Sequence, residues 1–356
     1  MKIYEVGSKN LPKVNESCLW QGDVSELLES LPRSFKFDLI LTSPPYNLDK
    51  EYEEKKSFDE FLMWQEKIIV KLIDRLKPGG SICWQVGNYV ENGVIYPLDI
   101  YQAPIFLDND LKLRNRIIWT YEHGFAAQKR FSGRYETVLW FSKDEDYTFN
   151  LDAVRERQKY PSKRHSKGPK GPLKATAKGT LGWRVNLKDN TRKIYIKTKD
   201  SELFLGSFDL KREVQVVRNS SVNIGDVILR GEPSGNPKGK NPGDVWNIPN
   251  VNSQHIEKTD HPCQFPVELA QRLILSLSNE GELVFDPFSG VATSGCAAVL
   301  EGRAYWGCEL QTKYNKEGLK RLKKAAKGDL NHRMAGTHIY DHKISDLSQI
   351  PDEWTF

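Results

Sequence analysis

The chain has 356 residues, of which 38% are hydrophobic and 28% charged, and its formal net charge is +5 at pH 7. This composition excludes a fibrous or wholly disordered chain, and the length allows one large α/β domain with an insertion, or two domains. No apolar stretch is long enough to span a membrane, and residues 1–10 lack the apolar segment of a signal peptide, so we expect a cytoplasmic protein with no membrane partner.

The five cysteines are scattered and form no Cys-x-x-Cys pair, which favours reduced thiols over disulfides or a zinc site. His338 and His342 are four positions apart, but no acidic residue or cysteine is placed to complete a metal site with them. The sequence therefore predicts no bound metal.

The first predicted elements lead into a stiff bend. Residues 18–21 predict a short strand, residues 24–31 a short helix, and residues 37–41 form an apolar run typical of a buried strand. Residues 43–46 follow with the sequence Ser-Pro-Pro-Tyr, whose two prolines hold the backbone extended. We therefore expect the chain to leave the core in a rigid bend.

This bend offers groups that suit a planar molecule carrying an amino group. The Ser43 hydroxyl and the Pro44 carbonyl are acceptors for amine hydrogens, Pro45 fixes the next step of the backbone, and the Tyr46 ring offers a face for stacking. A surface turn or a polyproline ligand is the alternative interpretation. Such peptides lie in polar, disordered surroundings, whereas this one follows a buried strand.

A strand–helix–strand unit continues the chain. Residues 57–60 form a capping box that begins an amphipathic helix, and we expect Pro78-Gly79-Gly80 to end it before a strand at residues 81–86. Residues 116–121 and 136–141 predict two more strands. A strand, a crossover helix and a second strand are typical of a parallel sheet.

The composition changes at residue 151. Residues 151–193 contain 13 Lys or Arg and three acids, and residues 231–243 form a loop rich in Gly, Pro and Asn. Short strands are predicted at residues 214–217 and 227–229. We interpret residues 151–255 as an insertion that is either a solvated basic loop or a surface for nucleic-acid phosphates. Its candidate DNA-binding residues are Arg155, Arg157, Lys163, Arg164, Lys167 and Lys170.

A glycine-rich turn lies between predicted elements late in the chain. Residues 283–286 predict a strand, residues 287–295 a turn that opens an Ala-rich helix, and residues 303–309 the next strand. Glu309 lies 19 residues after Gly290, close to the spacing of an acid that binds ribose in a nucleotide crevice. The turn has neither the Gly-Lys-Ser/Thr of a triphosphate loop nor a Gly-x-Gly-x-x-Gly motif. A nucleoside without phosphates, such as S-adenosylmethionine, fits best, and an ordinary strand–helix turn is the alternative.

The bend and the glycine turn both follow predicted parallel strands. Because the carboxyl ends of such strands meet at one edge of an open α/β sheet, we expect the two loops to share one crevice. The sequence therefore predicts a nucleoside bound beside the Ser-Pro-Pro-Tyr bend.

These motifs resemble those of the beta permutation group of DNA amino-methyltransferases. Residues 42–46 resemble the catalytic motif, residues 135–143 the stretch that leads into target recognition, residues 261–266 the segment before the cofactor motif, and residues 286–290 the cofactor motif itself. Their order, with the catalytic motif first, is that of the group. The resemblance spans residues 18–321 and leaves the insertion unmatched in detail.

The resemblance implies a Rossmann-like α/β methyltransferase fold, with a mainly parallel seven-stranded sheet and helices on both faces. It implies a catalytic half at residues 1–150, a target-recognition region at 151–255, a cofactor half at 256–330 and a C-terminal extension at 331–356. The implied methyl donor is S-adenosylmethionine, and the implied partner is double-stranded DNA. A monomer or a homodimer is expected, and a cognate restriction endonuclease is allowed as a functional rather than a physical partner.

Family members with Ser before Pro-Pro-Tyr mostly methylate N4 of cytosine, and those with Asp or Asn mostly methylate N6 of adenine. The serine here favours cytosine, with adenine as the alternative. The target base must leave the duplex to reach the donor. Because serine is a weak base, we expect the amine proton to leave with or after the methyl transfer. The implied catalytic residues are Ser43, Pro44, Pro45 and Tyr46. The expected cofactor contacts are Asp23, Gln264, Phe265, Asp286, Pro287, Phe288, Ser289, Gly290, Thr293 and Glu309, and a structural loop acid is the alternative for Asp23.

Three other functions share part of this pattern. Pro262-Cys263-Gln264 resembles the nucleophile motif of cytosine-C5 methyltransferases, but here it precedes the glycine motif instead of following it. In protein glutamine methyltransferases an Asn-Pro-Pro-Tyr bend follows the cofactor motif and no basic insertion intervenes. A non-catalytic DNA-binding module is the third alternative. The catalytic and cofactor motifs are both intact, which argues against it.

Overall fold

A computed structural model of the chain describes residues 3–6, 16–47, 55–122, 124, 126–156, 180–186, 191–197, 202–209 and 238–334. The described residues divide into two compact units. The larger unit contains those up to residue 154 and from residue 242 onward, and the smaller unit contains those within 155–241. None of the described helices is both long and apolar enough to cross a membrane.

The described residues form fourteen strands and six α-helices. The strands are β1 (Ile3–Val6), β2 (Ser17–Gln21), β3 (Phe37–Thr42), β4 (Leu76–Val86), β5 (Asn88–Glu91), β6 (Val94–Pro97), β7 (Lys112–Thr120), β8 (Tyr135–Ser142), β9 (Thr180–Asn186), β10 (Thr191–Lys197), β11 (Glu202–Asp209), β12 (Val245–Asn247), β13 (Leu283–Asp286) and β14 (Ala304–Glu309). The helices are α1 (Val24–Ser30), α2 (Phe58–Asp74), α3 (Leu98–Asp108), α4 (Val267–Leu277), α5 (Thr293–Leu300) and α6 (Thr312–Lys327), and a 3-10 turn lies at Leu151–Val154.

The larger unit is built on a nine-stranded sheet in the order β1-β2-β14-β13-β3-β4-β8-β7-β12. Strand β8 runs antiparallel to both of its neighbours, and the other adjacent pairs of this sheet are parallel. The expected Rossmann-like fold with a mainly parallel sheet is thereby confirmed. The sheet has two strands more than the implied seven, because the short strands β1 and β12 extend its two edges.

Helices cover both faces of this sheet. Ile40 of β3 belongs to an apolar core that also contains buried residues of α1, α2 and α3. Leu39 and Leu41 belong to a second core that contains residues of α4, α5 and α6. Because successive side chains of a strand point to opposite faces, an apolar run such as β3 is buried from both sides.

Helix α2 begins as predicted but ends earlier. The Ser57 hydroxyl accepts a hydrogen bond from the Glu60 N–H, and the Glu60 carboxylate accepts one from the Ser57 N–H. The predicted stop at Pro78-Gly79-Gly80 is wrong, because α2 ends at Asp74 and these residues lie within β4. A Cβ on the last of these glycines would lie 2.8 Å from the Asp38 carbonyl oxygen, so glycine there lets β4 approach β3.

The smaller unit contains an antiparallel sheet in the order β11-β10-β9. Glu156 and Lys240 form an antiparallel bridge between the two ends of this unit, with a salt bridge of 3.2 Å. The unit is shorter than the predicted insertion, because β12 pairs with β7 and Trp246 is buried in the larger unit. The strands predicted at residues 214–217 and 227–229 lie outside the described residues.

Candidate active site

A cavity of about 570 Å³ lies at the carboxyl ends of β2, β3, β13 and β14. Strands β3 and β13 are hydrogen-bonded neighbours, so the segments that follow them leave the sheet side by side. Residues 43–46 and residues 287–290 both line this cavity. The two loops that the sequence places in one crevice therefore meet in the structure.

The Ser-Pro-Pro-Tyr bend is held at several points. The Pro45 carbonyl accepts a hydrogen bond of 3.2 Å from Gln65 Nε2 of α2. Asn47 closes the bend in a left-handed conformation (φ +62°), and its side chain exchanges two hydrogen bonds with the backbone of Lys56. Ser43 Oγ lies 3.3 Å from Tyr46 Oη at the cavity wall. The protein's own hydrogen bonds therefore hold the bend in place.

A carboxyl group lies behind the tyrosine of this bend. The Tyr46 hydroxyl donates to Glu136 Oε2 over 3.3 Å, and the Tyr121 hydroxyl donates to Glu136 Oε1 over 3.4 Å. Gln85 Nε2 also donates to Glu136 Oε2. Burial raises the pKa of Glu136 above its ordinary value, although these three hydrogen bonds oppose the rise.

Sequence reasoning missed Glu136 as a site residue. It lies at the start of β8, within residues 135–143 of the resemblance, but nothing in its local pattern separates it from a surface acid. Gly87 indicates the contact indirectly. A Cβ placed on this glycine would lie 3.1 Å from the Tyr46 ring and 3.4 Å from Glu136. A glycine after a buried strand indicates that another group approaches the backbone closely.

Asp286 forms hydrogen bonds with residues at the starts of both loops. Its carboxylate accepts hydrogen bonds from Thr42 Oγ1 (2.6 Å), from the Phe288 N–H (3.1 Å) and from the Ser294 hydroxyl. Burial raises its pKa from 3.8 to about 6. Asp286 is not among the residues that line the cavity. The structure thus places this predicted cofactor contact beneath the loop, where it fixes the loop instead of facing a ligand.

The glycine turn has a strained backbone, and a buried arginine stabilises it. Gly290 and Ala292 both adopt left-handed conformations, with φ +52° and +58°, and the second is rare for a residue with a side chain. Arg321 of α6 is buried beneath them and donates to the Val291 carbonyl (2.7 Å) and to Thr293 Oγ1 (3.0 Å). This arginine stabilises the turn, and sequence reasoning did not single it out.

Glu309 at the end of β14 faces the cavity. Its Oε2 accepts a hydrogen bond from the Gly290 N–H (2.8 Å), and its Oε1 accepts one from the Gln311 N–H (2.7 Å). Burial raises its pKa from 4.5 to about 7. Each oxygen retains a lone pair, so the carboxylate can accept further hydrogen bonds from a ligand.

Most other predicted cofactor contacts also line the cavity. Asp23 lies on its wall and caps α1 by accepting from the Ser25 N–H (2.7 Å). Gln264 lines it too, but its amide is engaged with the Thr259 hydroxyl (2.9 Å) and the Glu257 carbonyl (2.9 Å). The remaining predicted contacts on the wall are Phe265, Pro287, Phe288, Ser289 and Thr293, and lining residues that sequence reasoning did not assign include Asn47, Lys56, Trp64, His261, Cys263, Gln311 and Tyr314.

The predicted DNA-binding residues are placed only in part. Arg155 belongs to the smaller unit, where its Nη1 donates to the Gly239 carbonyl over 3.1 Å. The other five candidates lie outside the described residues, namely Arg157, Lys163, Arg164, Lys167 and Lys170. Within the described ranges no group of three or more His, Cys, Asp or Glu side chains is arranged to hold a metal ion.

Residues 37–320 match the model of the N6/N4 family of DNA methylases. The chain belongs to this family. It is therefore a DNA amino-methyltransferase, as the motifs and their order predicted. The matched residues include the bend, the glycine turn and the smaller unit, which lies between these two motifs along the chain.

Among curated relatives, the type II methyltransferase M.BglII of Bacillus subtilis is 35% identical, over 86% of this chain and 68% of the relative. The DNA adenine methyltransferase YhdJ of Escherichia coli (strain K12) is 28% identical, over 85% of this chain and 80% of the relative. The solved structure of the cytosine-N4-specific PvuII DNA methyltransferase is 18% identical, with a TM-score of 0.54 over 88% of this chain and 93% of that one. This structural similarity supports the fold assignment.

Proposed function

We propose that this DNA amino-methyltransferase transfers a methyl group from S-adenosylmethionine to N4 of a cytosine flipped out of double-stranded DNA. The observation that carries the proposal is the shared cavity, in which the Ser43–Tyr46 bend lies beside the Gly290–Glu309 pair. The relatives named type II methyltransferases support a role in modification beside a restriction endonuclease.

The cavity fits the donor chemically. Asp23 and Glu309 place two carboxyl groups on its wall, which suits a positively charged nucleoside. Glu309 also offers the acceptor oxygens that ribose hydroxyls require. A Cβ at Gly290, where φ is +52°, would lie 3.1 Å from the His261 ring, so a side chain there would crowd the cavity wall. S-adenosylmethionine would supply a methyl group activated on a sulfonium.

The bend fits the acceptor base. Ser43 Oγ and the Pro44 carbonyl would accept the two hydrogens of an exocyclic amine, and Tyr46 would stack on the ring. These contacts favour a pyramidal nitrogen whose lone pair points away from the ring plane, and holding the reacting groups in place accounts for much of the rate. The base reaches this position only when it leaves the helix stack.

Ser43 supports cytosine as the target, since family members with serine at this position mostly methylate cytosine N4. Adenine N6 is the second candidate, because the relative YhdJ is named an adenine methyltransferase. Nucleoside mass spectrometry on DNA from cells expressing the chain distinguishes them, with the Ser43→Ala variant as control. We expect N4-methylcytosine. N6-methyladenine would establish the second candidate, whereas 5-methylcytosine or no modified base would overturn the proposed function.

The affinity for S-adenosylmethionine is expected to increase as the pH rises through about 7. The pKa of Glu309 is raised to about 7, so its carboxyl group loses a proton in this range and gains an acceptor for the ribose. Calorimetry from about one pH unit below to one unit above this value measures the change. Glu309→Gln should bind more weakly and with little dependence on pH. A wild-type affinity that stays constant over this range would contradict the assignment of Glu309.

Cys263 provides a second test of the donor site. It is exposed and lines the cavity, whereas the other four cysteines are buried, and burial raises the pKa of their thiols. A maleimide should therefore label Cys263 selectively, and S-adenosylmethionine should slow the labelling, as read by mass spectrometry. Cys263→Ser should remove the label and retain methylation. Loss of methylation in that variant would instead revive a cysteine nucleophile and C5 chemistry.

A further inference from the structure

The proposed reaction leaves a proton without an evident acceptor. Methylation of an amine places positive charge on the nitrogen, and an N–H proton must then leave. Ser43 is the hydroxyl beside that nitrogen, but a serine hydroxyl is too weak a base to keep a proton. The structure continues from Ser43 through Tyr46 to a carboxylate, with 3.3 Å between the oxygens at each step.

We propose that Glu136 is the final proton acceptor of the methylation step, reached through Ser43 and Tyr46. The inference rests on the proposed function. The directions of the hydrogen bonds support it, because the Tyr46 hydroxyl donates to Glu136 Oε2 and the Ser43 hydroxyl must then donate to Tyr46 Oη. The lone pairs of Ser43 Oγ therefore remain available to an amine hydrogen at the cavity wall.

The step balances in atoms and charge. The new N–CH₃ bond forms as the donor's S–CH₃ bond breaks, and the amine N–H bond then breaks, leaving its electron pair on the nitrogen. Ser43 Oγ takes this proton and passes its own to Tyr46 Oη, which passes its own to Glu136 Oε2. Serine and tyrosine end neutral, and the carboxylate ends as a carboxylic acid.

The surroundings of Glu136 suit a base. It is half-buried, and burial is the main cause of its raised pKa. Its hydrogen-bonding neighbours are neutral donors, the hydroxyls of Tyr46 and Tyr121 and the amide of Gln85. Two further ionisable groups act on these tyrosines and not directly on the carboxylate: Cys263, which raises the pKa of Tyr46, and Arg134, which lowers that of Tyr121.

Single-turnover methylation at saturating donor and DNA tests the proposal. The wild-type rate should decrease at low pH, where Glu136 is protonated. Glu136→Gln should lower the plateau rate about 100-fold and abolish this acid limb, since a positioned base contributes on that order. Glu136→Asp should restore part of the rate together with the limb. Tyr121→Phe removes a hydrogen bond that lowers the pKa of Glu136, so its acid limb should move to higher pH.

Two further measurements check that the acid limb belongs to Glu136. Tyr135→Phe changes the exposed neighbour of Glu136 and should leave the pH profile unchanged. Carbon-13 NMR of labelled glutamate in the protein without donor or DNA should show a Glu136 carboxyl whose pKa lies above its ordinary value and shifts upward in Tyr121→Phe. Glu136→Gln with an intact acid limb, or with the wild-type rate, would overturn the proposal. Wild-type protein without a methylated product would instead remove the proposed function.

Discussion

Replacing Ser43 by alanine is expected to lower the rate of methyl transfer about 100-fold or more, while the affinity for S-adenosylmethionine changes little. The substitution removes the acceptor for an amine hydrogen and breaks the 3.3 Å contact between Ser43 Oγ and Tyr46 Oη. It leaves the glycine turn and Glu309 untouched, so the donor site stays intact. Single-turnover kinetics gives the rate, and calorimetry gives the donor affinity.

A serine outside the cavity provides the matched control for this experiment. The Ser30 hydroxyl at the end of α1 donates to the Leu27 carbonyl, and Ser30→Ala removes a hydroxyl of the same kind without approaching the bend. Its rate should equal that of the wild type. If Ser43→Ala also keeps the wild-type rate, Ser43 has no part in the reaction and the interpretation of the bend fails.

Replacing Asp286 by alanine is expected to destabilise the protein by about 3 kcal/mol or more, because two buried hydroxyls and one half-buried backbone N–H lose their acceptor. These donors are the hydroxyls of Thr42 and Ser294 and the backbone N–H of Phe288. Urea unfolding measures the loss of stability. We also expect weak donor binding, since the turn that starts at Pro287 loses its anchor, and calorimetry measures that effect.

The asparagine variant provides the comparison for Asp286. Asp286→Asn keeps a carbonyl acceptor and should lose less stability than the alanine variant. The folded-state pKa of Asp286 is about 6, above the ordinary 3.8, so its protonation favours the folded state. This contribution is complete below about pH 3.8 and is lost as the pH rises through 6, and the asparagine variant should lack it. Equal unfolding free energies for the wild type and the alanine variant would contradict the structural role.

Local patterns predicted the elements that build the cavity. The apolar run of β3, the Leu283–Asp286 strand and the Ala-rich α5 have uniform compositions and clear ends, so periodicity locates them well. The meeting of the two loops followed from the rule for parallel strands, not from either loop alone. Helix α3 was missed because Pro104 lies inside it, and proline normally argues against a helix.

The unpredicted part of the site depends on contacts between distant strands. Glu136 reaches Tyr46 only because β8 pairs with β4, so that its first residues lie beside the end of β4 at Gly87. No spacing along the chain encodes this pairing. The role of Asp286 is similar, since its bond to Thr42 requires that β13 and β3 are neighbours. The sequence assigned Asp286 to the cofactor site, and only the packing shows that it lies beneath the turn and not on the cavity wall.

The Thr42–Asp286 hydrogen bond joins positions that are 244 residues apart along the chain. The two strand ends are therefore joined by a contact that forms only after both have been synthesised, and β4, β7, β8 and the smaller unit lie between them along the chain. The cavity is thus completed late in synthesis, when β13 takes its place beside β3.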